Sequence, residues 1–131
     1  PQAFLNEFVL SPDTPVATIA KNEYLKPLVA SSFTLAYQAG LKMAFGSDNG
    51  VFPHRDTALE FAALTRNGIS KIDALRMATI NAAELLGVDD RGELIAGKRA
   101  DIIAVPGNPL NDITLMESVS FVMKQGEIYK Q

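Results

Sequence analysis

The sequence predicts an α/β fold: the closing βα units of a larger α/β body over residues 1–87, joined to a small β-domain over residues 88–131. Three observations carry this reading. A short apolar run at residues 41–45 ends in a glycine-rich polar loop, Gly46-Ser47-Asp48-Asn49-Gly50. Stretches with helical spacing of apolar residues flank that run on both sides. After Gly87 the chain changes character, to closely spaced turns and β-rich runs.

Each element has its own local reason. Near the start, Phe4, Leu5, Phe8, Val9 and Leu10 are apolar and run into Ser11-Pro12-Asp13-Thr14-Pro15, which reads as a strand end followed by a crossing loop. Residues 17–39 are helical in pattern, with Val29, Phe33 and Ala36 on one stripe. A break is expected at Pro27, which lacks an N–H and disfavours helical geometry at Lys26. Gly40 sits where a helix stop belongs. Residues 42–46 are expected to form the last strand of the body. A lone parallel-type strand needs neighbours, and no run of matching type precedes residue 41, so a barrel or sheet partner is expected outside this chain.

Residues 56–67 read as a second helix. Leu59, Phe61, Ala62, Ala63 and Leu64 leave it little polar face, so it should be covered on more than one side. Ser70-Lys71-Ile72-Asp73 resembles a capping box with Asp in place of Glu or Gln. It opens a helix over residues 70–86 that is expected to bend around Asn81 and to stop at Gly87. In the β-domain, Asp89-Asp90-Arg91-Gly92 and Ala96-Gly97-Lys98-Arg99 are turns. Asp101-Ile102-Ile103-Ala104-Val105 is a strand, stopped by Pro106-Gly107-Asn108-Pro109. A short helix near residues 112–116 follows. Val119, Phe121 and Met123 then share one face of a strand, and Gln125-Gly126 turns it back through Ile128 and Tyr129.

Composition excludes several function classes. The 131 residues are 47% hydrophobic and 21% charged, an ordinary soluble balance. The net charge of −3, with no basic run, offers nothing to a nucleic-acid backbone or an anionic membrane. No cysteine is present, so disulfides, thiolate metal sites and cysteine nucleophiles are excluded. The single histidine, His54, rules out a zinc site built from several histidines of one copy. No apolar stretch reaches the roughly 18–20 residues that span a bilayer. The first residues carry neither an initiator Met nor the basic start of a signal peptide, and the chain is expected to begin inside a longer protein. Its compartment is not fixed by the sequence; a cytoplasmic one is favoured.

The polar cluster after residue 45 is where chemistry is expected. Catalytic groups in α/β folds gather at the C-terminal ends of strands. Asp48 there could bind a cation through oxygen or accept a proton from a metal-bound water. Equally, it could form an Asx turn or a helix cap, the commoner role of Asp beside Gly. His54 could contact substrate or shuttle protons, or cap the helix that begins near Asp56. Glu60, Asp73, Glu84, Asp89 and Asp90 read as solvated faces or caps, and Asn81 as a side chain bonded to backbone within its helix or at the bend.

Three motifs taken together carry a family resemblance. Ala44-Phe45-Gly46-Ser47-Asp48-Asn49-Gly50-Val51-Phe52-Pro53-His54 resembles the last barrel strand and following loop of the metal-dependent amidohydrolases. Ala78-Thr79-Ile80-Asn81-Ala82-Ala83-Glu84-Leu85-Leu86-Gly87 resembles their A-T-x-N-x-A-x-x-L-G helix. Gly92-Glu93-Leu94-Ile95-Ala96-Gly97-Lys98-Arg99-Ala100-Asp101-Ile102-Ile103 resembles their return into the β-domain. Within that superfamily the chain is most similar to the Xaa-Pro dipeptidase (prolidase-like) and imidazolonepropionase-related branch. Arg55 stands where such loops often carry a small residue.

The resemblance implies the C-terminal part of a (β/α)8 TIM barrel with strands of an adjoining β-sandwich. It implies one or two divalent metals, usually zinc, with Asp48 as a metal ligand and as proton acceptor from the attacking water, then general acid to the leaving nitrogen. His54, with Asn49 and Gly50, would contact a small-molecule or dipeptide substrate. The family's H-x-H pair, its mid-barrel lysine and its later histidines are absent here, and one carboxylate does not hold a catalytic zinc. The chain alone is therefore expected to be inactive, to hold no metal by itself, and to self-associate or pair with the missing barrel segment. The leading function is hydrolysis of C–N bonds, amide or peptide. The alternatives are a subunit or non-catalytic binding module that completes a barrel with a partner chain, and, within the superfamily, a cyclic amidine or lactam hydrolase.

Overall fold

A computed structural model describes residues 15–47 and 53–131. The element order is helix α1 (Val16–Gln38), a 3-10 helix (His54–Ala58), α2 (Leu59–Arg66), α3 (Lys71–Ala78) and α4 (Ile80–Leu85), then strand β1 (Ile102–Ala104), a second 3-10 helix (Ile113–Glu117), β2 (Phe121–Lys124) and β3 (Glu127–Lys130).

Helix α1 runs without interruption through Pro27, where a break was expected. The proline removes one intrahelical bond, to the carbonyl of Glu23. Both residues are exposed, so water can take up the freed carbonyl. Lys26 Nζ also donates to Glu23 Oε1 at 2.7 Å across the same turn. The expected strand at residues 42–46 is not formed among the described residues, since 41–47 has no ladder partner. The sequence pattern is that of a strand, but a strand is defined by its neighbours.

Helices α1, α2 and α4 end alike. Gly40, Gly68 and Gly87 take positive φ, of 71°, 87° and 67°. After α2, Gly68 N–H donates to the Thr65 carbonyl at 3.1 Å and Ile69 N–H to the Leu64 carbonyl at 3.2 Å. This double closure satisfies two terminal carbonyls and brings Ile69 against Leu64, both buried. Helix α3 opens at Ser70, whose Oγ accepts from Asp73 N–H at 3.2 Å. The bend expected around Asn81 lies at Thr79, where φ −125° and ψ −94° separate α3 from α4.

The core sits between α2, α3 and the second 3-10 helix. Phe61, Leu64, Ile69, Ala74 and Met77 pack with Ile113 and Met116, so the core crosses from the helical part into the β part. Lys71 Nζ adds a polar tie, donating to the Asn111 carbonyl at 2.5 Å. Thr34 Oγ1 donates to the Asn67 carbonyl at 3.0 Å and fastens α1 to the end of α2. The sheet has the order β1-β2-β3, antiparallel throughout. Ile103 pairs with Val122 and Met123 with Ile128, with a bulge between Val122 and Met123. Gln125 and Gly126, both at positive φ, make the two-residue turn. Asp101 Oδ1 accepts from Gln125 N–H at 2.8 Å, which gives the Ala100-Asp101 end of the third motif a local purpose.

Candidate active site

The segment leading to the polar loop is held from one side. Asn81 Nδ2 donates to the Met43 carbonyl at 2.8 Å, and Phe45 N–H donates to the Met77 carbonyl at 2.9 Å. Met43 and Phe45 both pack against the core. The Phe45 ring lies 4.8 Å from that of Phe61, tilted by 32°. Asn81 thus bonds backbone of a different element, across the fold, where the sequence suggested a bond within its own helix or at the bend. Asp48, Asn49 and Gly50, the aspartate and two of the three proposed substrate contacts, lie outside the described residues.

His54 is exposed and is the first residue of its 3-10 helix. The N-cap position of that 3-10 helix belongs to Pro53, whose carbonyl accepts from Asp56 N–H at 2.9 Å. The His54 carbonyl accepts from Thr57 Oγ1 at 2.7 Å. Its side chain lines a cavity of about 600 Å³ together with Phe45, Phe61, Leu75, Ile103 and Met116. Arg55 and Lys130 bring positive charge to that cavity and Glu117 negative charge. The cavity lies between the helical part and the sheet, with one wall on the segment that precedes Asp48.

Glu60 corrects a second expectation. It is only 3% exposed, not on a solvated face. It borders a small void of about 30 Å³ with Phe33, Gly46, Leu64 and Met77. A buried carboxyl has to be satisfied by hydrogen bonds, which places Glu60 among the groups that organise this end of the molecule. The signal was in the spacing: Glu60 stands four residues before the fully buried Leu64, on the same face of α2. Of the other acidic residues, Asp73 lies in the first turn of α3, where its carboxylate accepts from the Ser70 and Tyr37 hydroxyls, and Glu84 pairs with Lys42. Asp90 is bound by both Arg91 and Arg99.

Among the described residues, no group of three or more His, Cys, Asp or Glu side chains could hold a metal ion. Asp48, the metal ligand that the resemblance implies, lies outside the described residues. Also among the described residues, no helix is long and apolar enough to cross a membrane.

Comparison with known proteins gives the geometry its context. Residues 13–129 match the model of the amidohydrolase family. Ochratoxinase from Aspergillus niger is 37% identical over 112 residues, covering 78% of this chain and 23% of that protein. Imidazolonepropionase from Deinococcus deserti is 37% identical over 78 residues, covering 57% of this chain and 20% of that protein. The crystal structure of a Xaa-Pro dipeptidase with methionine bound in the active site superposes with a TM-score of 0.88 at 36% identity. That match covers 99% of this chain and 32% of the dipeptidase. The chain thus spans between a fifth and a third of the length of these three proteins. Helices followed by a small antiparallel sheet are the part of a prolidase-like, TIM-barrel hydrolase fold that the sequence foretold. With nearly the whole length inside one family model and the fold superposing on a prolidase-type structure, this chain belongs to the amidohydrolase family.

Proposed function

We propose that this chain supplies the Asp48 end of an amidohydrolase active site that hydrolyses a C–N bond, amide or peptide, in a dipeptide-sized substrate of the Xaa-Pro type. The observation that carries the reading is the likeness to the Xaa-Pro dipeptidase over 99% of the chain at 36% identity. Residues 1–87 would be the closing βα units of the barrel and residues 88–131 part of the adjoining β-domain. A divalent metal, zinc in the first place and one or two ions, would need ligands from outside this chain, because a catalytic zinc takes about three protein ligands.

The chain's own part is proton transfer and substrate contact. The Asp48 carboxylate takes a proton from the attacking water as its oxygen bonds to the carbonyl carbon. It returns that proton to the nitrogen as the C–N bond breaks. His54, at the cavity beside Phe45, contacts the substrate, together with Asn49 and Gly50. A cyclic amide is the second substrate class, favoured by the 37% identity to imidazolonepropionase.

The test is hydrolysis by the full gene product, assayed on Xaa-Pro dipeptides, N-acyl amino acids and lactams. Dipeptide turnover should fall at least about 100-fold in Asp48→Ala, the usual scale for loss of a general base. His54→Asn should raise KM with kcat little changed. The 131-residue chain alone should show no turnover. Wild-type turnover in Asp48→Ala would reject the assignment, and lactam turnover without dipeptide turnover would move the substrate to the cyclic class.

A further inference from the structure

The bond from Asn81 ties the second sequence motif to Met43, the residue just before the first motif, across 38 positions, and nothing in the reaction proposed above uses it. Backbone groups of a segment without ladder partners need other partners. At residues 41–47 the Asn81 amide provides one at Met43, and the Met77 carbonyl provides another at Phe45. The two bonds fix the segment against α3 and α4, and the Phe45 ring, tilted against that of Phe61, packs it on α2. Asn81 is the second residue of α4, which begins after the break at Thr79. That break diverts position 81 from the course a continuous α3 would give it. A second link between the same elements, the Lys42–Glu84 ion pair, has side chains 57% and 59% exposed and is weakened by solvent.

We infer that Asn81 is a positioning residue for Asp48: it fixes the height and rotation of the segment that delivers the carboxylate. The inference rests on the reading of Asp48 as proton acceptor. Asp48 follows Phe45 by three residues in the chain, and on this inference the clamp at Met43 and Phe45 governs its placement. An aliphatic side chain at position 81 would fill the space without donating to the Met43 carbonyl. Asparagine supplies a neutral donor of fixed geometry.

The experiment uses the full gene product and the variant Asn81→Asp, which keeps the shape but sets a carboxylate against the Met43 carbonyl. A displacement of about 1 Å at a catalytic group costs up to about 100-fold, so kcat per folded molecule should drop about 10- to 100-fold with KM within about twofold. Hydrogen exchange of the Phe45 amide should accelerate in the same variant, a readout independent of turnover. Glu84→Gln, which breaks only the exposed ion pair, should leave kcat unchanged. If Asn81→Asp does not fold, Asn81→Ser is measured in the same way with the same expectation. Wild-type kcat per folded molecule in the Asn81 variant, with Asp48→Ala inactive, overturns this inference alone. Wild-type turnover in Asp48→Ala overturns the reading beneath it.

Discussion

The Tyr37 hydroxyl donates to Asp73 Oδ2 at 2.6 Å and so ties the end of α1 to the first turn of α3. The same hydroxyl accepts from Ser70 N–H at 3.4 Å. In a capping box the third residue of the helix reaches back to that amide, but Asp73 is one methylene shorter than Glu and instead accepts from Ser70 Oγ at 2.5 Å. Tyrosine from another helix takes the vacant partnership. Tyr37→Phe keeps the ring and removes the hydroxyl. It should cost about 1 kcal/mol, the low end for a hydrogen bond to a charged group, because Asp73 is a third exposed. A lower urea midpoint at unchanged m-value is the expected signature, and an unchanged midpoint would remove the tie from the stability of the fold.

That tie has a pH dependence. The Ser70 hydroxyl, then the Tyr37 hydroxyl and Arg76, hold the Asp73 carboxyl below the usual carboxylate range of about 3.8. A depressed folded-state pKa adds stability that is present above the unfolded value and lost as pH falls through the folded value. The midpoint difference between wild type and Tyr37→Phe should therefore be full at neutral pH and shrink below the usual carboxylate value. A difference that grows on acidification would reverse the assignment.

Asp90 gives a sharper case. Its hydrogen bonds to Arg91, first, and to Arg99 lower its pKa from 3.8 to about 2. The sign is the same, so its contribution is lost as pH falls from 3.8 toward about 2. Asp90→Asn should flatten that part of the acid-denaturation curve while leaving the shape above neutrality unchanged. A carboxyl titration of Asp90 followed by NMR should show an apparent pKa clearly below that of a free aspartate.

Gly92, which opens the third motif, lies over the break between α3 and α4. Its φ is 94°, and a Cβ there would stand 3.0 Å from the Ala83 Cβ and 3.2 Å from the Thr79 carbonyl oxygen. Gly92→Ala should therefore cost about 1–3 kcal/mol from backbone strain, with steric displacement of α4 added. The variant is expected to melt earlier than wild type. Gly97→Ala, also at positive φ but with nothing within 4 Å of its Cβ, should be the milder of the two. Equal losses would mean that the close approach at Gly92 carries no weight.

The sequence made the local signals legible. The glycine stops at Gly40, Gly68 and Gly87, the Ser70 cap and the Gln125-Gly126 turn depend on nearest neighbours, and each stands where its residues put it. Family and fold were legible too, because three motifs in register are specific. What escaped were relationships over long sequence separation. Asn81 to Met43 and Tyr37 to Asp73 join residues more than thirty positions apart, and periodicity carries no record of which elements face each other. Pro27 misled because its rule describes the backbone bond it removes and not the solvent that can replace that bond. Glu60 misled because charge was weighed over its place on an apolar face.

Exposed apolar surface sets the last prediction. Val16 is 81% exposed, Leu85 77%, Leu86 74% and Leu94 73%. Residues 41–47 also lack ladder partners among the described residues. Such surface is ordinarily covered by another chain or another part of the same one. The 131-residue chain alone should therefore associate, with a sedimentation coefficient that rises with concentration. Leu85→Lys combined with Leu86→Lys should weaken that association, since both side chains leave α4 toward solvent and neither belongs to the core. Adding the remainder of a barrel in trans should compete with self-association, because both would cover the same faces. A monodisperse monomer at high micromolar concentration would show that this apolar surface needs no cover.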